Sequence, residues 1–218
     1  MDTKSDAPAF SNSRPCRIGI LVFEGFEAID VYGPLEVFAN LAERVQIEML
    51  GPKAGALLIS EQAPAVAQAT IALSEAGALD LLLVPGGVGT RKLAQDKEFL
   101  DTLANVAASA QWVASVCTGA GLLAAAGLLH GARATTNKSV WSWVVEQSSD
   151  TDWIPEARWV EDGKLFTSGG ACAGMDMSLG IVARFFGDAV ARELAKLIEY
   201  DWNDDAGYDP FAAAFGLV

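Results

Sequence analysis

The sequence predicts an α/β fold: a mostly parallel central sheet covered by helices on both faces. Three observations carry that prediction. Along the 218 residues, short β-branched runs of strand length alternate with longer segments of helical periodicity, the pattern that builds strand-helix-strand units. The strand-length runs are apolar throughout, as strands buried on both faces are. Hydrophobic residues make up 51% of the chain, enough for a large core and too many for a disordered chain.

Each element follows in order. RIGILVF (17–23) reads as the first buried strand. In EGFEAIDVYGPLEVFANLAER behind it, Ile29, Val37, Phe38 and Leu41 suit one helical face, with Pro34 placed in a first turn. VQIEMLG (45–51) is a second strand, and residues 56–67 suggest a short hairpin. DLLLVPGG (80–87) is a third buried strand that runs into glycines. KEFLDTLANVAASA is helical, WVASV (112–116) is a strand, and the Ala- and Leu-rich TGAGLLAAAGLL suits a helix packed closely on the sheet. ARATT (132–136) resembles a short strand and SVWSWVVEQ a helix. ARWVEDGKLFTSGG (157–170) has the alternation and Asp-Gly turn of a hairpin. CAGMDMSLGIVARFFG and DAVARELAKLIEYDW are closing helices, followed by an irregular tail. Residues 1–15 read as a mobile arm and 16–218 as one domain.

Composition narrows the function. Lys plus Arg is 15 and Asp plus Glu is 28, a net charge of −13, and the pI is near 4.4. Nucleic-acid binding needs clustered cations, which this chain lacks. No apolar stretch suits a signal peptide or a membrane span, so a cytoplasmic protein acting on a small molecule is expected. Cys16, Cys117 and Cys172 are odd in number and have no metal-ligand spacing, and His130 is the only histidine. These facts argue against a disulfide framework and against zinc. No cofactor is expected.

Sites in such sheets lie beyond the carboxyl ends of the strands. Cys117, Gly86-Gly87 and Glu24-Gly25 all stand at strand exits, so three separate stretches should meet at one edge. Cys117 sits where a strand passes into a helix, a turn that presents a nucleophile and places it at a helix start that favours thiolate. The other reading is a buried, inert thiol. Gly87 N–H and Thr118 N–H are candidates for an oxyanion-binding pair in a PGGVG loop that lacks the phosphate-binding fingerprints. Asp30 lies in the apolar context AIDVYGP; it is either a helix-capping residue or a buried acid able to move protons. His130 follows Cys117 by about a dozen residues of helix, too far along the rise to serve as its base.

FEGFEAIDVYGPLEVF (23–38), LLLVPGG (81–87), ASVCTGAGLLAAAGLLHGARATT (114–136) and FTSGGACAGMDMSLGIV (166–182) resemble the ThiJ/PfpI superfamily. The resemblance extends over residues 17–202 and implies a flavodoxin-like three-layer sandwich. SVCTGA with ARATT resembles a narrower branch, that of isonitrile (isocyanide) hydratases and the sensor domains of AraC-type regulators. That branch implies Cys117 as nucleophile and Asp30 as general acid/base, with Gly86, Gly87 and Thr118 hydrogen-bonding around the site. It also implies a homodimer and a cofactor-independent addition of water to an isocyanide. The branch continues ATTHW where this chain has ATT followed by Asn137 and Lys138. Thr118 stands where the superfamily's peptidases and glyoxalases carry His. A thiol-based sensor and a glyoxalase- or deglycase-type enzyme are the alternative readings.

Overall fold

Runs of residues with no polar face belong in a sheet interior, and the computed structural model, which describes residues 14–61 and 64–218, puts them there. The expected N-terminal arm therefore lies outside the described residues as far as position 13. In chain order the elements are β1 (Cys16–Leu21), α1 (Ala28–Ala39), β2 (Val45–Gly51), β3 (Leu57–Ile59), β4 (Val66–Gln68), β5 (Ile71–Ala72) and β6 (Leu81–Val84). Next come α2 (Thr90–Leu93), α3 (Lys97–Ser109), β7 (Trp112–Val116), α4 (Gly119–Ala125), β8 (Arg133–Ala134), α5 (Trp141–Val145) and β9 (Asp152–Trp153). The chain closes with β10 (Trp159–Asp162), β11 (Leu165–Ser168), α6 (Cys172–Phe186), α7 (Asp188–Leu197) and α8 (Phe211–Ala214).

Seven strands form one sheet in the order β10-β11-β7-β6-β1-β2-β5. Every neighbour pair is parallel except β10 with β11, the hairpin read from its Asp-Gly turn. From β1 the chain steps one way to β2, whereas from β6 it steps the other way to β7. Crossovers of one hand then place α1 and α3 on opposite faces. α1 packs with α6, and α3 with α4. The direction of winding reverses between β1 and β6, and the crevice of such a sheet opens there, past the strand ends.

Several boundaries differ from the sequence reading. Pro34 lies inside α1 rather than in its first turn. Val37, Phe38 and Leu41 are buried as expected, but Ile29 is exposed, because α1 starts at Ala28 and buries Asp30 and Val31 instead. α4 stops at Ala125, short of the expected length, since Gly127 at φ +75° ends it in the left-handed conformation. The ARATT strand shrinks to two residues that pair with β9 in a separate ribbon. Thr135 and Thr136 leave that ribbon and bond elsewhere: Thr135 N–H donates to Thr167 Oγ1 at 2.9 Å, and Thr136 Oγ1 donates to Cys117 O at 2.7 Å.

The C-terminal segment is irregular but pinned. Asp176, on α6 and fully buried, accepts from Arg158 Nε at 2.6 Å and Nη2 at 2.5 Å. Its other oxygen accepts the Asn203 N–H at 3.0 Å. Removing one member of such a pair leaves the other charged and buried. Asp176→Ala should therefore lower unfolding stability by roughly 3–5 kcal/mol and loosen residues 200–210, as denaturant melts and amide exchange would read.

Candidate active site

Cys117 follows directly on the buried strand β7. Its φ is +57°, a conformation that costs a side-chain-bearing residue energy and persists only where its surroundings fix it. They do. Cys117 N–H donates to Ser168 O at 3.2 Å and Gly169 O at 3.1 Å, while its carbonyl accepts the Thr136 hydroxyl. The bend also brings Gly119 against β6, where a Cβ would lie 2.1 Å from Val84 O. Only glycine fits there.

The thiol is buried, 7% exposed. Burial pushes its pKa well above the usual thiol range, and the negative charge on Asp30 pushes it further; the Thr118 N–H, the Asn137 amide and the Thr118 hydroxyl pull it back. The expected bias towards thiolate from the helix start is therefore reversed. α4 has two turns to offer, and desolvation outweighs them.

Asp30, in the first turn of α1, caps nothing and is fully buried. Its Oδ2 accepts the Gly86 N–H at 2.9 Å, and its Oδ1 has no hydrogen-bond partner of regular geometry. Burial raises its pKa to about 7; the Gly86 N–H lowers it, the charge on Glu27 raises it, and the Cys117 thiol and Ala171 N–H lower it. Of the two sequence readings of Asp30, the buried acid is the one the structure contains. Gly86 occupies the gap between acid and elbow: a Cβ there would lie 2.7 Å from Thr118 N and 2.8 Å from Asp30 Oδ2.

Gly87 N–H donates to Thr118 Oγ1 at 3.0 Å. This amide thus fixes Thr118 and does not pair with the Thr118 N–H as an open anion site, which corrects the expected arrangement. The Thr118 N–H bears instead on the Cys117 sulfur. Thr90 Oγ1 donates to Gly87 O at 2.7 Å and lies 3.2 Å from Thr118 Oγ1, which braces the loop from α2.

One neighbour of the sulfur was not among the sequence candidates. Asn137 Nδ2 donates to Cys117 Sγ at 3.2 Å. Its Oδ1 accepts from Ser139 N–H at 2.8 Å and Ser139 Oγ at 2.6 Å, so the amide cannot turn over without losing both. The available signal was its place, where the resemblance expects His. Lys138 beside it is buried and paired with Asp209 at 3.4 Å. His130 lies on the surface against Asp150 at 3.2 Å. A cavity of about 420 Å³ lined by Phe23, Leu58, Leu73 and Phe99 includes neither Cys117 nor Asp30.

Comparison with known proteins agrees with this fold. The DJ-1/PfpI family model matches residues 16–184. Isonitrile hydratase from Pseudomonas putida is 35% identical over 186 residues, 84% of this chain and 78% of that protein. A ThiJ/PfpI family protein from Pseudomonas syringae superposes with a TM-score of 0.78 at 30% identity, covering 90% of this chain and 82% of its own. Protein DJ-1 homolog B from Arabidopsis thaliana is 26% identical over 83% of this chain, which spans 40% of that longer protein.

The raised pKa of Asp30 has a consequence for stability. A carboxyl that ionises near pH 7 when folded and near pH 4 when unfolded binds its proton more tightly in the fold. That stabilisation is full at about pH 4 and is lost as pH rises through about 7. Asp30→Asn removes the buried charge and keeps an acceptor for the Gly86 N–H. The variant should exceed the wild type by roughly 2–4 kcal/mol at about pH 8 and match it at about pH 4 in denaturant melts. Equal stability at both would mean that Asp30 ionises as in water.

Proposed function

The chain belongs to the DJ-1/PfpI family, and on that footing we propose that it is a cofactor-independent hydratase that adds water to an isocyanide to give an N-substituted formamide. Cys117 is the nucleophile and Asp30 the general acid/base. The observation that carries this reading is the buried carboxyl of Asp30, with a pKa near 7, acting on the Cys117 thiol. A group balanced near neutral pH can both accept and return a proton. The likeness to the Pseudomonas putida isonitrile hydratase supports the choice of substrate, and a homodimer is part of the same proposal.

The terminal carbon of an isocyanide accepts a nucleophile and a proton at the same atom. As the sulfur approaches, ionised Asp30 takes the thiol proton, the S–C bond forms, and Asp30 delivers that proton to the same carbon. The product is a thioimidate, R–N=CH–S–Cys117. Asp30, ionised again, takes one proton from an incoming water as the water oxygen bonds to that carbon, and passes that proton to the nitrogen. The C–S bond then breaks as the new hydroxyl gives its proton, by way of Asp30, to the leaving sulfur, and R–NH–CHO departs. The sum is RNC plus water giving the formamide, with no net change in the protein. Asn137 donates to the sulfur, which stabilises it whenever it carries charge. No imidazole is needed.

The pair holds its proton by raising the thiol rather than by presenting a standing thiolate. That favours activation on demand over a sensor that depends on a free thiolate. Purified, reduced protein should convert cyclohexyl isocyanide to N-cyclohexylformamide over many cycles. Cys117→Ala should abolish this, and Asp30→Asn should reduce kcat by about a hundredfold or more. Because Asp30 must be ionised to take the thiol proton, the rate should fall as pH drops through about 7. Stoichiometric modification of Cys117 without turnover would replace the hydratase reading with a sensor.

A further inference from the structure

Arg91, in α2, stands beside the elbow in a fixed pose. Its guanidinium carbon lies 3.8 Å from the centroid of the Trp143 ring. Nη1 donates to Thr90 Oγ1 at 3.0 Å, and that hydroxyl lies 3.2 Å from Thr118 Oγ1. Two hydroxyls thus connect the guanidinium to the residue that follows the nucleophile. Trp143 is itself packed on α4, where a Cβ on Gly121 would come within 2.7 Å of the ring. Stacking and hydrogen bonding together hold the planar fork in one orientation, so little freedom is left to lose on binding.

Arg14, Arg17, Arg158, Arg184 and Arg192 each meet a carboxylate within 4.0 Å, whereas Arg91, like Arg44 and Arg133, forms no ion pair among the described residues; of these three, Arg91 is the one joined through hydroxyls to the elbow. Glu61 is the carboxylate whose charge reaches it, but Glu61 Oε2 is turned to the Val88 N–H at 2.7 Å. A charge developing on the Cys117 sulfur would also bear on Arg91, and the Thr90–Thr118 hydroxyl contact joins the two residues. A half-buried cation pays part of its desolvation cost without the partner that offsets it. In a chain with 28 acidic and 15 basic residues, an unpaired, pre-oriented arginine next to the nucleophile points to an anion that arrives with the ligand.

We propose that Arg91 is a subsite for a carboxylate carried by the substrate, so that the isocyanides this protein prefers are short isocyano acids rather than neutral alkyl isocyanides. The fork donates two parallel N–H bonds to the carboxylate, Trp143 backs the guanidinium, and Thr90 sets its angle. The isocyanide carbon is then presented to Cys117 from the α2 side of the crevice. This inference deepens the hydratase reading and rests on it for the identity of the reacting group. Arg91 sets specificity and orientation and takes no part in proton transfer.

Isocyanoacetate and its methyl ester differ in the charge alone that matters here. Wild type should show a kcat/KM for isocyanoacetate about tenfold to a hundredfold above that for the ester, carried mainly by KM. Arg91→Met should bring the ratio near one, and Arg91→Lys should leave an intermediate ratio, with circular dichroism and thermal melts reporting that each variant is folded. A second readout needs no turnover: calorimetric binding of N-formylglycine, and of its methyl ester, to Cys117→Ala protein with Arg91 intact or replaced by Met. N-formylglycine should bind more tightly than its ester, and only with Arg91 present. If neither isocyanide is hydrated while this binding pattern holds, the hydratase reading fails and the anion subsite stands. A wild type indifferent to the charge in both measurements overturns the subsite, as does a ratio that Arg91→Met leaves unchanged.

Discussion

A carboxyl group with no access to solvent governs this structure. Burying an ionised carboxylate is costly unless its oxygens are bonded, and Asp30 has one oxygen on the Gly86 N–H and one without a regular partner. What surrounds it is arranged to hold that state. α1 leaves β1 so that Asp30 turns inward in its first turn. Two residues past β6 stands Gly86, where any side chain would displace either the acid or Thr118. β7 is followed directly by Cys117, bent into the left-handed region and pinned by carbonyls at the end of β11. Burial thus raises the pKa of both groups; the charge on Asp30 raises the thiol further, while the thiol's hydrogen bond draws Asp30 partly back. Such a pair titrates as a unit, and the unit has one proton to move near neutral pH.

Polar groups around the pair carry separate tasks. Thr118, fixed by Gly87 N–H, keeps the elbow and the glycine loop in register. Asn137, fixed by Ser139, contributes a donor to the sulfur without titrating. Arg91, fixed by Trp143 and Thr90, supplies the one cation whose charge reaches Cys117 from α2. Acid, amide and guanidinium approach from α1, the loop after β8 and α2. The proposed roles in proton transfer, stabilisation of sulfur and recognition of substrate charge can therefore be tested one at a time.

The architecture was legible because buried parallel strands carry no polar face, so RIGILV, LLLV and WVASV could hardly be anything else. The meeting of Glu24-Gly25, Gly86-Gly87 and Cys117 was legible for the same reason: once strands are placed, their exits are too; Asp30 was singled out by its apolar context and by the family resemblance. Boundaries were less so. Pro34 sits mid-helix because packing overrides its preference, and Gly127 cuts α4 short. The charge state of Cys117 was read with the wrong sign, since the helix start is visible in sequence and the depth of burial is not. Asn137 reaches the sulfur only because Thr135 and Thr136 bond to β11 and to the elbow, twenty residues of chain being folded back by side chains. Arg91 was invisible as a site residue, because its role depends on a stack against Trp143 that no local pattern encodes.

The proposed chemistry depends on where the proton resides in the Asp30–Cys117 pair. Infrared difference spectroscopy reads the protonated carboxyl directly, and Asp30→Asn identifies its band. A protonated, buried Asp30 should give a carboxylic-acid band, absent in Asp30→Asn, that titrates with a midpoint near pH 7 and moves when Cys117 is replaced by alanine. A band that vanishes at about pH 4, the ordinary range of an aspartate in water, would contradict it.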